Sequence, residues 1–489
     1  MQVNVMLTVE QKRSLATLCG NNKAVHGMVT SVVSKQRQSL AWHARSLESL
    51  SAGRSQLPYL MPLLPICIDS AQGAHITDID GNHYIDCHMG YTAMLLGHNP
   101  PEVLESFKAS LDKQPGAGYF IKAQVELGEI LCEMVPTLER VAFLHSGADA
   151  VMAAIRLARA ATGKKLIAKF EGSYHGWLEP GLYNTAASWS ARISDDPLDT
   201  LRPQAATGGV SLGFGQDLLI LPFNEEVSLR LIEEKAGELG GVVLEPSPRY
   251  MGNHLAECQN FSQKVRELTQ KHHIPLIFDE VVTGFRLAQG GAAEAFNITP
   301  DLACYAKITS GLGLPLGIVG GKAALMEQAS SEGLISDFLN NKVWISTTNA
   351  ASSLVTLAAL TQFRYLKNHY QALMGRIDRN HQLLNYALKR VNKETGINIS
   401  LDGHPRLYNT LVFESFNEPP HNLRRPSANY QPQQVRLMRL LTLYLRLQHI
   451  YAESTPSMHL SSAHSDEDIA RIAAGIQHAL NQMRSHGLL

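Results

Sequence analysis

The stretch PLIFDEVVTGFRLAQGGAAEAFNITPDLACYAKITSGLGLPLGIVGG, from Pro275 to Gly321, contains the features that decide the fold. Its first apolar run has the length of a buried strand and ends on Asp279, and a second apolar run ends just before Lys307. In an open α/β sheet, ligands bind at the edge where the strands have their carboxyl ends. A carboxylate and a lysine at that edge suit a cofactor that needs both a covalent anchor and a partner for a ring nitrogen.

The composition is that of an ordinary soluble globular protein, and it argues against several classes of function. At 489 residues, of which 45% are hydrophobic and 18% charged, the chain is long enough for two or three domains. A formal net charge of −1 provides no electrostatic reason to expect nucleic acid or an anionic membrane as a partner. Six scattered cysteines without a Cys-x-x-Cys pair, and no signal-peptide pattern, predict reduced thiols, a cytoplasmic location and no metal site.

Short apolar runs alternate with helical patterns on both sides of Pro275–Gly321. This alternation is typical of a mainly parallel sheet covered by helices on both faces, so we predict an α/β fold with seven strands. Downstream of Thr348 the pattern is helical with two strand-like pieces, which predicts an α+β domain. Upstream, Asp80-Gly81-Asn82 between apolar residues predicts a β-hairpin. The seven predicted strands are Val141–His145, Leu166–Phe170, Leu218–Leu221, Val242–Leu244, Leu276–Phe278, Ala303–Ala306 and Leu316–Val319.

The turn Ser146-Gly147-Ala148 joins a predicted strand to a predicted helix. Ser146 is a suitable helix N-cap, and Gly147 lets main-chain amides approach a ligand closely. Because the first amides of a helix have no acceptor within the helix, this turn is a candidate phosphate site. Taken alone, an ordinary capped turn explains the same residues.

Three further strand ends carry candidate site residues. Tyr174, followed by His175, is either an aromatic shelf for a planar heterocycle or a half-buried tyrosine of a turn. Glu245 and Asp279 stand at the ends of two later strands, and buried carboxylates are uncommon without a cationic partner. Lys307 by itself would be a solvated surface lysine, but its position after an apolar run favours a functional role. The chain contains no dinucleotide-binding, P-loop, nucleophile-elbow or zinc-protease motif.

The order of these signals along the chain resembles the class III pyridoxal-phosphate-dependent aminotransferases, and most closely their glutamate-1-semialdehyde 2,1-aminomutase branch. The likeness extends from about Gly73 to the C-terminus. It is carried by DIDGNHYID (78–86), AIRLARAATGKKLIAKFEGSYHG (154–176), IFDEVVTGFR (277–286), TPDL (299–302) and LSSAHSDEDI (460–469).

The resemblance implies the type I aminotransferase fold, in which a large cofactor domain with a mainly parallel seven-stranded sheet is joined to a small α+β domain. We accordingly predict a helical arm or linker at 1–45 and the N-terminal part of the small domain at 46–115. The large domain is predicted at 116–348, and an interdomain helix with the C-terminal small domain at 349–489. Enzymes of this kind are homodimers that act on a small-molecule amino donor and a carbonyl acceptor.

The resemblance also implies a role for each candidate residue. Lys307 would anchor pyridoxal phosphate through a Schiff base and then move a proton on the substrate. Asp279 would hold the nitrogen of the pyridine ring protonated, and Val281 and Tyr174 would cover the two faces of the ring. Lys307, Asp279 and Tyr174 are therefore the predicted catalytic residues. The other predicted cofactor contacts are Ser146, Gly147, Ala148, His175 and Glu245.

The chain departs from the family pattern at several places. Ala148 lacks a hydroxyl group to bond the phosphate and offers only its main-chain amide. The segment that brings a threonine of the partner subunit to the phosphate reads WISTTN (344–349), so Thr347 or Thr348 is the candidate. Where the aminomutase branch carries an arginine for the substrate carboxylate, Leu57–Leu64 is apolar. Losing a bidentate guanidinium removes an anchor for a small amino acid, which favours a less polar or longer substrate.

We therefore predict an aminotransferase that transfers an amino group to a ketone or aldehyde in the biosynthesis of a specialised metabolite, with the acceptor either free or tethered to a carrier protein. The first alternative is the 2,1-aminomutase, which needs no external amino donor. The second alternative is a catalytically inactive family member that keeps the fold for binding. The presence of both Asp279 and Lys307 argues against the second alternative.

Overall fold

The computed structural model describes residues 7–51, 64–185, 202–309, 311–330, 342–414 and 432–489. Contacts within the chain divide it into two compact units. The large unit comprises Pro101–Leu373, and the small unit comprises the described residues up to Pro100 and from Met374 onward. Each unit has its own hydrophobic core, so each is described by itself.

The described residues form helices and strands in the following order along the chain. The helices are α1 (Val9–Cys19), α2 (Lys23–Lys35), α3 (Arg37–Ser46), α4 (Pro101–Lys108), α5 (Lys122–Met134), α6 (Gly147–Thr162), α7 (Glu226–Glu234), α8 (Leu255–Lys271), α9 (Gly291–Phe296), α10 (Ala323–Met326), α11 (Ser353–Thr395), α12 (Pro432–Leu447) and α13 (Asp466–Ser485). The strands are β1 (Ile68–Gln72), β2 (His75–Asp78), β3 (His83–Asp86), β4 (Arg140–Leu144), β5 (Leu166–Phe170), β6 (Leu218–Leu221), β7 (Leu239–Leu244), β8 (Leu276–Asp279), β9 (Leu302–Tyr305), β10 (Gly317–Gly321), β11 (Ile399–Asp402), β12 (Thr410–Phe413) and β13 (Ile450–Tyr451).

The large unit is built on a seven-stranded sheet with the strand order β4-β10-β9-β8-β7-β5-β6. β10 runs antiparallel to both of its neighbours, and the other adjacent pairs are parallel. Every residue of β7, β8, β9 and β10 is buried, as expected for central strands covered on both faces. All seven predicted strands and the mainly parallel α/β architecture are thus confirmed.

Helix α6 shows how this sheet is covered. Its N-cap is Ser146, and it ends at Gly163, which has a φ of +68° in the left-handed region that favours glycine. Buried alanines at positions 150, 154 and 158 follow the i, i+4 spacing of one helix face. Small side chains on this face let α6 pack closely on the sheet, and its N-terminus consequently lies next to the ends of the strands.

The strand directions bring the candidate residues to one edge of the sheet. β4 through β9 all point the same way, because β10 is antiparallel to both β4 and β9. The segments that follow β4, β5, β7, β8 and β9 therefore start at the same edge. Those segments contain Ser146, Tyr174, Glu245, Val281 and Lys307, with Asp279 as the last residue of β8.

The small unit contains the predicted hairpin. β2 and β3 pair antiparallel, with Thr77 opposite His83, and the turn residue Gly81 has a φ of +83°. The Asp78 carboxylate accepts hydrogen bonds from the main-chain amides of Asp80 (3.1 Å) and Asn82 (2.8 Å). This local chemistry explains why the sequence alone identified the turn.

The N-terminal residues differ from the predicted peripheral arm or linker. Helices α1, α2 and α3 bury an apolar face in the core of the small unit together with α12 and α13. Asn22 Nδ2 donates to the His486 carbonyl oxygen (2.6 Å), and Arg436 Nε donates to the Leu18 carbonyl oxygen (2.9 Å). The partners lie more than 400 residues away in the sequence, so these contacts were not visible in a local pattern.

The limits of the two units also differ from the predicted domain limits. The chain divides after Pro100 and after Leu373, whereas the sequence placed the corresponding limits after residues 115 and 348. Helix α11 runs through the second limit without interruption, which explains why composition gave no boundary signal there. No helix in the described parts of the chain is both long and apolar enough to cross a membrane.

Candidate active site

Asp279 is buried at the end of β8 and has a hydrogen-bond donor on each carboxylate oxygen. His175 Nδ1 lies 2.7 Å from Oδ2, and the main-chain amide of Val281 donates to Oδ1 at 3.1 Å. Burial lowers the pKa of His175, although its hydrogen bond to Asp279 and the charge of Asp279 act in the opposite direction. A neutral imidazole in this position carries its proton on Nδ1 and donates it to Asp279. Its other nitrogen, Nε2, is buried and has no hydrogen-bond partner in the described part of the chain.

Glu245 directly follows β7, the strand adjacent to β8, and has a different environment. Its carboxyl group is partly buried, and its pKa is raised to about 8. Burial is the main cause of this rise and the negative charge of Asp279 adds to it, whereas the cation of Lys307 and the main-chain amide of Tyr174 oppose it. Glu245 is therefore mainly protonated at neutral pH.

Lys307 follows β9 and has an unusual backbone conformation. Its φ is +55°, in the left-handed region, which costs a residue with a side chain about 1–2 kcal/mol. Backbone strain of this kind is concentrated at functional sites, where the surrounding structure holds it. The preceding residue, Ala306, packs against the turn at Gly147, since a Cβ added to Gly147 would lie 3.3 Å from the Ala306 Cβ.

The turn at the N-terminus of α6 is closely packed against the segment after β8. A Cβ on Gly147 would lie only 2.8 Å from Val281 Cγ2, so only glycine allows this approach. Ser146 Oγ accepts from the Asp149 amide (3.2 Å) and donates to Asp149 Oδ2 (2.8 Å). Because a capped α-helix leaves its first amides without internal acceptors, those of Gly147 and Ala148 can bind an anion.

The segment after β5 brings Tyr174 and His175 to the edge of the sheet where Asp279 lies. The Tyr174 side chain is 43% exposed, which leaves its ring available to a ligand. Gly176 has a φ of +98°, and a Cβ there would collide with Ala148. The segment is thus packed against the α6 turn at Gly176 while His175 reaches Asp279.

The two candidate threonines lie on the surface of the large unit. Thr347 Oγ1 is 3.2 Å and 3.3 Å from the two ring nitrogens of His145, the residue before Ser146 in the same chain. Thr348 is exposed. Of the apolar segment 57–64, only Leu64 lies within the described residues, and it is buried.

Two residues of this region were not identified from the sequence. Lys169 lies within β5 and is buried, and its only sequence signal was a lysine inside the apolar run LIAKF. Glu280 is buried beside Asp279 and accepts from the amides of Ala292 (2.9 Å) and Ala293 (2.8 Å). Burial raises the pKa of Glu280 to about 7. Lys169 holds the segment that contains Tyr174, and Glu280 holds the start of α9.

Comparison with known proteins places the chain in a family. The class-III aminotransferase family model matches residues 59–400. The glutamate-1-semialdehyde 2,1-aminomutase of Alkaliphilus oremlandii is 33% identical over 425 residues, covering 86% of this chain and 92% of the relative. The corresponding protein of Akkermansia muciniphila is 31% identical over 424 residues, with the same coverage of 86% and 92%.

Solved structures agree with this assignment. An omega-transaminase from Sphaerobacter thermophilus has a TM-score of 0.79 and 28% identity, covering 91% of this chain and 98% of that one. A glutamate-1-semialdehyde aminomutase from Pseudomonas aeruginosa PAO1 has a TM-score of 0.78 at 18% identity, covering 98% of this chain and 99% of that one, and shows the shared fold. This chain belongs to the class-III aminotransferase family.

Proposed function

We propose that this protein transfers an amino group from a small-molecule donor to a ketone or aldehyde other than glutamate semialdehyde. The observation that supports it best is the meeting of Asp279, held by His175, with Lys307 and the α6 turn at one sheet edge. An acid, a lysine and an anion site in that arrangement match the three functional parts of the family's cofactor, pyridoxal phosphate. Adding donor and acceptor together to the purified enzyme and measuring the aminated product tests the proposal directly.

The residues present fit pyridoxal phosphate. The α6 turn offers the amides of Gly147 and Ala148 to a phosphate, at a place where a Cβ on residue 147 would close the approach. Val281 packs beside that turn, and the half-exposed ring of Tyr174 is available to cover the pyridine. Bound pyridoxal phosphate supplies an electron sink for the substrate carbon that loses a proton.

The protein side chains would then perform three tasks. Lys307 would anchor the cofactor and would move the proton at the substrate carbon. Asp279 would hold a proton on the ring nitrogen of the cofactor, and His175 fixes the orientation of the Asp279 carboxylate by donating from Nδ1. Glu245, which is mainly protonated at neutral pH, places a neutral group beside Lys307 and avoids a second negative charge near Asp279.

The 2,1-aminomutase activity is the second candidate, because the curated relatives described above carry that name. The absence of arginine from Leu57–Leu64 favours the transferase, since a small amino acid needs an anchor for its carboxylate. Incubating the enzyme with glutamate-1-semialdehyde alone distinguishes the two. Formation of 5-aminolevulinate without an added amino donor would support the mutase and contradict the first proposal.

The lack of an arginine in Leu57–Leu64 also favours a less polar acceptor. We propose a role in the biosynthesis of a specialised metabolite, in which the acceptor is either free or tethered to a carrier protein. Comparing kcat/KM for a free keto acid with that for the same group on a carrier-linked thioester decides between the two forms. A preference for short polar keto acids would contradict the proposed substrate class.

We also propose that the enzyme acts as a cytoplasmic homodimer. Its six cysteines are all free, which suits a reducing compartment. Four large aromatic side chains of the large unit are strongly exposed in the single chain, and a second copy would remove them from water. They are Tyr119 (65%), Phe120 (84%), Trp177 (67%) and Trp344 (53%).

The assembly can be tested by light scattering after size-exclusion chromatography. Phe120→Glu should shift the protein from dimer to monomer. Tyr386→Glu is the matched control, because Tyr386 is also an exposed aromatic (74%) but belongs to the small unit. A wild-type protein that is monomeric at all concentrations would exclude the homodimer.

A catalytically inactive binding protein remains the third candidate. It would retain the fold without cofactor chemistry, which the combination of Asp279 and Lys307 disfavours. Protein that stays colourless and does not change its absorption spectrum on adding pyridoxal phosphate would support this candidate.

A further inference from the structure

Lys169 is the most deeply buried lysine side chain at this end of the sheet. It lies in β5, between β6 and β7, and is 2% exposed. Its ammonium donates to three main-chain carbonyl oxygens, those of Ser173 (3.4 Å), Gly181 (3.4 Å) and Tyr183 (2.5 Å). Burying a lysine costs free energy unless polar groups replace its water, and these carbonyls do so.

The three acceptors belong to one segment, Ser173–Tyr183, which begins three residues after β5 ends. Ser173 stands at its start and Tyr183 at its end, so the ammonium ties the two ends together. A main-chain hydrogen bond from Gly172 N to the Asn184 carbonyl oxygen (2.7 Å) lies directly beside this point. Without the cation, three buried carbonyl oxygens would converge with no donor between them and repel one another.

The closed segment carries the two residues that reach the active site. Tyr174 and His175 directly follow Ser173, and His175 Nδ1 is 2.7 Å from Asp279 Oδ2. The position of His175 therefore depends on how Ser173–Tyr183 is held. We infer that Lys169 is a positioning residue of this active site, which keeps Ser173–Tyr183 closed so that His175 stays hydrogen-bonded to Asp279.

The charge of Lys169 acts on the same groups through space. It lowers the pKa of His175, in the same direction as burial, and so disfavours the imidazolium form. It also lowers the pKa of Glu245, against the effects of burial and of Asp279. The charged groups around His175 and Glu245 are thus Asp279, Lys169 and Lys307. Removing the cation of Lys169 should raise the pKa of both His175 and Glu245.

The test compares Lys169→Met, which keeps the chain length without charge, with Lys169→Arg, which keeps the charge. The measurements are the affinity of the apoprotein for pyridoxal phosphate, the pH midpoint of the bound cofactor's visible absorption, and kcat. Lys169→Met should weaken cofactor binding about tenfold or more, raise the pH midpoint and lower kcat by about ten- to a hundredfold, as misplaced catalytic groups do. Lys169→Arg should restore the pH midpoint towards that of the wild type.

Lys164→Met is the matched control. Lys164 also donates to a main-chain carbonyl, that of Ala236 at 3.1 Å, but it precedes β5 and contacts none of the site residues described above. It should leave cofactor affinity and the pH midpoint unchanged. A purely structural role of Lys169 would lower stability without moving the midpoint, so unchanged midpoints in both Lys169→Met and Lys169→Arg would overturn the inference.

Lys169→Gln covers the case in which Lys169→Met does not fold. Glutamine can still donate to one or two of the carbonyls but has no charge, and circular dichroism shows whether it folds. Wild-type affinity and midpoint in Lys169→Gln would overturn the inference. The inference rests on the proposed function, through the roles of His175 and Asp279. Because cofactor affinity is measured without substrate, a wrong substrate assignment would not affect this test. A wild-type protein that binds no pyridoxal phosphate would sink the proposed function itself.

Discussion

Lys169 and Lys307 lie near the same edge of the seven-stranded sheet but have different backbone conformations and surroundings. Lys169 sits in the regular backbone of β5, and its ammonium donates to three carbonyl oxygens. Lys307 follows β9 with a φ of +55° and is only partly buried. Lys307 follows an apolar run and Lys169 lies within one, and the charge of each lowers the pKa of Glu245. The difference teaches that the backbone conformation, rather than the apolar surroundings, distinguishes the lysine proposed for chemistry from the lysine that ties a segment together.

The largest effect is expected at Lys307. Lys307→Ala should reduce amino transfer by about 10²- to 10⁴-fold or more, because it removes the proton-transferring group as well as the cofactor anchor. Lys307→Arg should fail equally, since a guanidinium stays protonated and cannot form a Schiff base. Amino transfer rates, with circular dichroism to show an intact fold, check this. A Lys307→Arg variant with a tenth of wild-type activity would contradict this prediction and remove the contrast with Lys169, where we expect arginine to restore the pH midpoint.

A smaller effect is expected where the backbone beside Lys307 meets the α6 turn. Gly147→Ala places a Cβ 2.8 Å from Val281 Cγ2, and overpacking of this kind costs about 1–3 kcal/mol of folding free energy. Adding Val281→Ala should recover part of the loss, because it removes the colliding methyl group. Urea unfolding of the two single variants and the double variant measures the coupling. Additive losses would show that the turn adapts and that Gly147 is not required by packing.

The strained backbone at Lys307 predicts an inverted glycine effect. In the apoprotein, Lys307→Gly should be more stable than Lys307→Ala by up to about 1 kcal/mol, because glycine adopts a positive φ without strain. Lys389 is an exposed position in helix α11, and there the order should be reversed. Lys389→Gly should be less stable than Lys389→Ala by about 1 kcal/mol. Thermal unfolding of the four variants decides this. The same order at both positions would show that Lys307 carries no backbone strain.

The stability should also depend on pH through Glu245. Its pKa rises from the usual 4.5 to about 8 on folding, so the folded protein binds more protons than the unfolded chain between those values. The contribution of Glu245 to stability is therefore fully present below pH 4.5 and is lost as the pH rises to about 8. Glu245→Gln should flatten this slope in the apoprotein.

The control for that experiment is Glu129→Gln, at an exposed position of α5. It should leave the slope of melting temperature against pH as in the wild type. If Glu245→Gln retains the wild-type slope, the carboxyl group of Glu245 is not desolvated on folding.

Much of the fold was predictable because its signals are local. The central strands of a covered parallel sheet are buried on both faces, so their sequences are continuous apolar runs, and all seven were identified. Asp279 and Lys307 could be selected because each directly follows such a run. The turn at Asp80-Gly81-Asn82 was recognisable from its own residues, which hydrogen-bond to Asp78.

Most of the unpredicted features depend on contacts between distant parts of the chain. The sequence predicts an arm at 1–45 because the apolar faces of α1 to α3 find their partners only in α12 and α13, which are distant in the sequence. Thr347 lies beside His145 across 202 residues, and no property of the WISTTN segment indicates that neighbour. The role of Lys169 was not predicted, because its carbonyl partners are placed by the irregular path of the segment after β5.

The sequence by itself determined the order of strands and helices, the family and the residue types that the cofactor requires, because these reside in local patterns and motifs. Only the tertiary structure decided which lysine is held by carbonyls, that His175 donates to Asp279 and that Glu245 keeps its proton near neutral pH. The physical reason is that desolvation and Coulomb interactions depend on distances between groups, and folding sets those distances between residues far apart in the chain.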